Sequence, residues 1–288
     1  MTRRYPLPVI LAIVLLACIA MAGCSGVGRG GPGPLVRDTD RAPVGDRWIA
    51  IEPDSMRSQT GCTIEMTRFQ PRRLRTRGLV ILAHGFLRDQ RHLAGLARAL
   101  AYHGIAAVTL NLCNGRPWDG RPIRNGLDMI AVARRLGAAP VVYGGFSAGG
   151  LAALVAGRLD RQARGVLALD LVDTGGIGIG MARALDRPLV GLVGDPAACN
   201  ARNNGLRVLA AAPKGRLTTM VGASHCDFES PTDWLCESVC AGVDGASPGR
   251  RQAIIAASVA AVSDLIGLPR PGPAPGHAGS LSRPDRKP

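Results

Sequence analysis

The sequence predicts a mostly parallel, doubly wound α/β sheet with flanking helices on both faces. Three observations predict it. Strand-like and helix-like segments alternate from residue 78 onward. The first of these strands is a continuous apolar run rather than an alternating one, as in a strand buried on both faces. The alternation ends in a long apolar helix suited to close such a sheet.

The elements follow in order. Arg47–Glu52 and Cys62–Phe69 read as an antiparallel pair at one sheet edge. Gly78–Ala83 (GLVILA) is the first buried strand. Arg91–His103 has helical spacing through Leu93, Leu96, Ala97 and Leu100, and Gly104 ends it. Strand Ile105–Leu112, helix Gly126–Gly137, strand Pro140–Gly144 and helix Ala148–Leu159 come next. Strands Gly165–Asp170 and Pro188–Val193, helix Gly205–Ala212, strand Arg216–Val221 and helix Gln252–Ile266 complete the domain. It is expected to span residues 46–267, enough chain to bury a large core.

Gly145-Phe146-Ser147-Ala148-Gly149 fits the pattern G-x-S-x-G. With 38 glycines in 288 residues the pattern alone says little, and it recurs at Gly245-Ala246-Ser247-Pro248-Gly249. Context separates the two. Ser147 follows the apolar run Val141-Val142-Tyr143 and opens an Ala/Leu-rich helix, the strand–turn–helix that a nucleophile elbow requires. A helix N-terminus there offers backbone N–H groups to a developing oxyanion. Ser247 precedes Pro and follows no strand, so it reads as a turn or helix cap.

With His84-Gly85-Phe86 after the first buried strand, the chain resembles the α/β-hydrolase family, whose H-G motif lies at that point. The resemblance implies a serine hydrolase. It places an oxyanion hole at the backbone N–H groups of Phe86 and Ala148, with Phe86 also lining the acyl pocket and His84 structural. It places the base at His225, in the loop Gly222–Asp227 after the last strand. His92, His103 and His277 lie on or beside the first helix and in the tail, where proton transfer to Ser147 is not served. Two acids compete. Asp195 follows the strand that most α/β hydrolases use. Asp170 ends the strand before it, and Leu169-Asp170-Leu171-Val172-Asp173 resembles the L-D-P-V-D stretch of chlorophyllases, whose acid lies there. Asp170 is preferred and Asp195 kept as the alternative. Asp173 is read as a turn residue and Asp227 as an organiser of the His225 loop.

About 17 residues separate Asp170 from Pro188, leaving room for only a minimal cap, with Thr174–Gly180 as a short lip over an open site. The resemblance extends to the lipase and polyester-hydrolase branch and implies hydrolysis of small or polymeric carboxylic esters without cofactor or metal. Rival readings are a peptidase or acyltransferase on the same fold, and an inactive surface-binding lipoprotein. A dehydrogenase is excluded, because no G-x-G-x-x-G follows the first parallel strand.

The ends carry other information. Arg3 and Arg4, an apolar run from Val9 to Met21, and Met21-Ala22-Gly23-Cys24 resemble a bacterial lipoprotein signal with Cys24 as the lipidated residue. Leu15-Leu16-Ala17-Cys18 is a second candidate, and an ordinary cleaved signal or single membrane anchor a third reading. The run of about 13 residues is shorter than the roughly 20 of a membrane span. Residues 1–23 are thus read as signal, 24–45 as a tether and 268–288 as a Pro/Arg-rich tail without apolar periodicity. Export to the periplasm or cell surface agrees with the cysteines. Cys62, Cys113, Cys199, Cys226, Cys236 and Cys240 would form up to three disulfides, with Cys236 and Cys240 close enough for a local one. No His accompanies them at metal-ligand spacing. The net charge of +14 is almost wholly Arg, scattered along the chain and without interleaved aromatics, so nucleic acid is not an expected partner. An attraction to anionic membrane surfaces or acidic ligands is. The protein is read as a monomer.

Overall fold

The computed structural model describes residues 47–113, 121–240 and 245–269, all within the unit running from Gly45 to Pro288. The signal, Cys24, the tether and the tail from residue 270 lie outside the described residues. Eight strands form one sheet: β1 (Ile49–Arg57), β2 (Thr63–Pro71), β3 (Leu79–Ala83), β4 (Ala106–Leu110), β5 (Val141–Phe146), β6 (Ala163–Leu169), β7 (Leu189–Val193) and β8 (Gly215–Thr219). Their order is β1-β2-β4-β3-β5-β6-β7-β8. β1 and β2 pair antiparallel, as does β2 with β4, and every other pair is parallel.

Side chains alternate across the sheet, so each strand feeds two cores. Val80 and Leu82 of β3 face α1 (Ala94–Tyr102) and the closing helix, while Leu79, Ile81 and Ala83 face the other layer. That other layer is α2 (Pro122–Arg135), α3 (Ala148–Leu159), α4 (Gly178–Arg183) and α5 (Leu206–Ala211). All five residues of β3, β4 and β7 are buried, which is why these runs read as uninterrupted apolar segments.

The structure moves several expected boundaries. β1 runs on to Arg57 because its hairpin with β2 stays in register from Ile49↔Pro71 to Arg57↔Thr63. Pro122 opens α2 and Pro248 opens the closing helix, each earlier than the apolar pattern did. Proline suits a first turn, where no N–H partner exists. Two further helices were not expected: α4, within the stretch read as a lip and the chain after it, and α6 (Trp234–Cys240), which precedes the closing helix α7 (Pro248–Leu265).

The order reverses at β3, whose neighbours are β4 on one side and β5 on the other. In open parallel sheets the crevice beyond the carboxyl ends at such a point is where ligands bind. His84-Gly85-Phe86 and Ser147 leave the ends of these two strands.

Candidate active site

Ser147 joins β5 to α3 with φ 54° and ψ −120°, a left-handed conformation costly for a residue with a Cβ. Its neighbours hold it there. The Ser147 N–H donates to the Leu169 carbonyl at 2.9 Å, and its own carbonyl accepts from Gly150 N–H at 3.0 Å. The flanking glycines have a steric reason. A Cβ at Gly145 would lie 2.2 Å from the Gly149 carbonyl oxygen, and one at Gly149 would lie 2.2 Å from that of Ala83. The first turn of α3 therefore rests directly on the ends of β3 and β5. The second G-x-S-x-G serves another purpose: Ser247 is the N-cap residue of α7, and its N–H donates to Asp227.

His225 begins a short 3-10 turn, His225–Phe228, after β8. Asp227 organises that turn as expected. It is fully buried and accepts from the Ser224 N–H and Oγ, the Ser247 N–H and Arg250 Nε. The His225 ring packs on Phe146 with centroids 4.5 Å apart. Its Nδ1 is 2.6 Å from Asp170 Oδ2, and both side chains are buried. A carboxylate at that atom makes Nδ1 the protonated nitrogen and leaves Nε2 as the lone-pair nitrogen.

Asp170 ends β6 with φ 44°. Its Oδ1 accepts from Gly194 N–H at 3.0 Å, and its Oδ2 from Asn200 Nδ2 at 3.2 Å. Asp195 stands elsewhere. It is exposed, and its Oδ1 accepts from Gly222 N–H at 3.2 Å, which braces the turn leading to His225. Asp173 accepts from Gly178 N–H at 2.8 Å, across the 3-10 turn Thr174–Gly176 that follows it.

His84 is buried. Its Nδ1 donates to the Gly85 carbonyl at 2.7 Å and its Nε2 accepts from the Leu112 N–H at 2.9 Å. Burial lowers its pKa and favours the neutral ring that this pattern needs. The pattern fixes Gly85 and with it the direction of the next peptide, that of Phe86. Ala148 is the first residue of α3, so its N–H has no acceptor within the helix.

Ser147 and His225 border a cavity of about 330 Å³, walled by Phe86, Leu87, Phe146, Leu235 and Val239. Leu235 and Val239 belong to α6, so this helix supplies the wall assigned from sequence to Thr174–Gly180. That stretch instead forms a 3-10 turn and the start of α4, whose Ala182 is in the core. The disulfides explain how a seven-residue helix is held. Cys226–Cys236 ties it to the His225 turn, and Cys199–Cys240 ties it to the chain beyond β7. The third bridge, Cys62–Cys113, links the β1–β2 hairpin to the end of β4. The expected local bridge between Cys236 and Cys240 is not made: both residues lie on α6, but each reaches a different partner. Among the described residues, the cysteines that gather closely enough for a metal are all in these bridges.

A buried charge cluster beside the cavity was also missed. Arg88 meets Glu229 at 2.6 Å and Asp233 at 2.8 Å. No motif announces it, since Arg88 lies 141 residues from Glu229 and further still from Asp233. For α6 a signal existed, namely three cysteines within 15 residues of His225.

No protein-family model and no curated protein matches the chain. Solved structures match its fold. A dienelactone hydrolase from Anabaena variabilis aligns over 74% of this chain and 96% of its own, at 18% identity and a TM-score of 0.55. Est1E from Butyrivibrio proteoclasticus aligns over 75% and 99%, at 13% identity and 0.54. A cold-adapted esterase from an Arctic intertidal metagenomic library aligns over 64% and 87%, at 16% identity and 0.52. The chain has the α/β-hydrolase fold.

Proposed function

We propose that the protein is a serine hydrolase of carboxylic esters, with Ser147 as nucleophile, His225 as base and Asp170 as the acid that orients it. The observation that carries this reading is the 2.6 Å contact between His225 Nδ1 and Asp170 Oδ2, buried beside a strained Ser147 at the mouth of an apolar cavity. Proteins of similar fold are described as esterases and dienelactone hydrolases, which agrees with it.

In this reading Ser147 Oγ attacks the ester carbonyl and His225 Nε2 takes its proton. Asp170 holds the Nδ1 tautomer and stabilises the imidazolium. The N–H groups of Phe86 and Ala148 hold the oxyanion. His225 then returns the proton to the leaving alcohol, and water releases the acyl group by the same route. Asp195 has a bracing role instead, at the turn that carries His225. Cys24 is proposed as the lipidated residue of an exported, membrane-anchored monomer.

The test is turnover of p-nitrophenyl acetate and butyrate. Ser147→Ala and His225→Ala should each lower kcat by at least about 10⁴-fold. Wild-type rates in either folded variant would overturn the assignment. A fluorophosphonate probe should label the wild type and not Ser147→Ala.

A further inference from the structure

The end of the sheet opposite the cavity has a character of its own. Hydrogen bonds join the segments that enter the strands there into one continuous row. Arg72 N–H donates to Trp48, Arg75 to Gly104, Leu79 to Pro140, Val141 to Gln162, Val166 to Pro188, and Leu189 to Lys214. This row carries the cations Arg73, Arg75, Arg77, Arg161, Arg164 and Lys214, all exposed. Part of it borders a second cavity of about 570 Å³, lined by Arg161, Arg164, Arg187 and Lys214.

Three acids lie near this row. Asp160 is buried and accepts the Tyr143 hydroxyl at 2.6 Å. Asp186 is paired with Arg187 at 2.7 Å. Asp264 lies on the last turn of α7. Two large apolar side chains stand among the arginines: Trp48 is 60% exposed and Leu74 is 56% exposed.

We infer that this end of the sheet is a docking face for an anionic phospholipid bilayer. The arginines meet lipid phosphates, where the guanidinium fork matches the phosphate oxygens. Trp48 and Leu74 enter the boundary between headgroups and acyl chains, the level at which amphipathic rings settle. Two observations favour a bilayer over nucleic acid. The apolar pair adjoins the basic row at its β1–β2 end, with Leu74 between Arg73 and Arg75 and the Arg47 guanidinium 5.2 Å from the centre of the Trp48 ring. And Arg47, beside Trp48 at this face, is joined in sequence through residues 25–46 to Cys24, the residue proposed above to carry the lipid. The cavity then opens away from the membrane, separated from it by the strands, about 17 Å for five residues.

The experiment uses the full-length chain with Cys24→Ser, so that no lipid anchors it, and two tryptophan reporters at opposite ends. Trp48 alone is kept by Trp118→Phe/Trp234→Phe, and Trp234 alone by Trp48→Phe/Trp118→Phe. Each protein is mixed with vesicles of brominated phosphatidylcholine, pure or in equimolar mixture with brominated phosphatidylglycerol. Trp48 fluorescence should fall at least about twofold in the mixed vesicles and not in the pure ones, and high salt should restore it. Trp234 fluorescence should not change. The Trp48 reporter carrying Arg73→Gln, Arg77→Gln, Arg161→Gln and Arg164→Gln, checked for folding by circular dichroism, should lose the quenching.

Equal quenching of Trp48 in both vesicles, or quenching of Trp234 instead, would overturn the proposal. So would retention of quenching in the quadruple variant, or release of the mixed vesicles by equimolar duplex DNA. None of these readings depends on ester turnover, so failure of the proposed activity leaves the test intact.

Discussion

Arg88 and Glu229 form a buried two-point ion pair, with Nε 2.6 Å from Oε1 and Nη2 2.8 Å from Oε2. The pair fastens the segment after Gly85-Phe86 to the segment after His225. Gly95 N–H to the Ser230 carbonyl and Ser230 N–H to the His92 carbonyl reinforce the same seam. Arg88→Ala would leave a fully buried carboxylate without its partner, a loss of about 3–5 kcal/mol. Urea unfolding should show it. The double variant Arg88→Met/Glu229→Leu should recover most of that stability, because no buried charge is left unpaired: Asp233, which also loses Arg88, is partly exposed and keeps His92 and the Cys236 N–H.

Asp170 and Asp195 are separated by their contacts with His225. Asp170→Asn replaces the acceptor of Nδ1–H and disfavours the required tautomer, so kcat for p-nitrophenyl butyrate should fall about 10³–10⁴-fold. Asp195→Asn keeps an oxygen to accept from Gly222 N–H and loses only the charge, so kcat should stay within about threefold of wild type. The reverse ranking in steady-state kinetics would reassign the acid.

The cavity wall can be thinned without touching Ser147 or His225. Leu235→Ala and Val239→Ala enlarge the space between α6 and Phe146. Relative kcat/KM for p-nitrophenyl octanoate over acetate should rise, by about tenfold for the double variant, since one to two kcal/mol of apolar contact discriminates acyl chains of different length. An unchanged ratio would mean that the acyl chain lies elsewhere.

Removing a bridge should act on the same wall. Cys226→Ser/Cys236→Ser frees α6 from the His225 turn and should cost about 2–4 kcal/mol in denaturant unfolding. The rise in KM should exceed the fall in kcat, because Asp170 and the Asp227 contacts still hold His225.

Stability should fall in acid, with a sign set by two aspartates. The Arg91 side chain at Asp89 lowers its carboxyl from 3.8 to about 2. The Arg88 hydrogen bond to Asp233 holds that carboxyl well below the usual range. A depressed folded-state pKa stabilises the protein above the unfolded value and loses that contribution as pH falls through the folded one. Unfolding free energy should therefore decline from about pH 4 to about pH 2, and less steeply in Asp89→Asn and Asp233→Asn.

The sheet and the strand–turn–helix at Ser147 were legible in the sequence because their causes are local. Buried parallel strands must be apolar throughout, and Ser147 sits between a strand and a helix whose periods differ. The contact between Asp170 and His225 was only half legible: the loop of His225 follows from strand order, but two strands each end in an aspartate. The choice rests on the backbone, since the left-handed conformation of Asp170 accompanies the turn of its carboxylate inward, and Asp195 is spent on Gly222. Helix α6 escaped for another reason. Trp-Leu-Cys-Glu-Ser-Val-Cys is too short to show a period, and its stability comes from sulfur bonds to Cys199 and Cys226, distant in sequence or outside the segment.

Those two bridges divide labour between folding and oxidation. The sheet, the turn at Ser147 and the hydrogen bond of His225 to Asp170 need only burial and polar contacts. The chamber in front of them needs electrons withdrawn from four thiols. A reduced chain would thus carry Ser147, His225 and Asp170 in place beside an unfinished doorway, and the α6 wall would be fastened last, when the four thiols are oxidised.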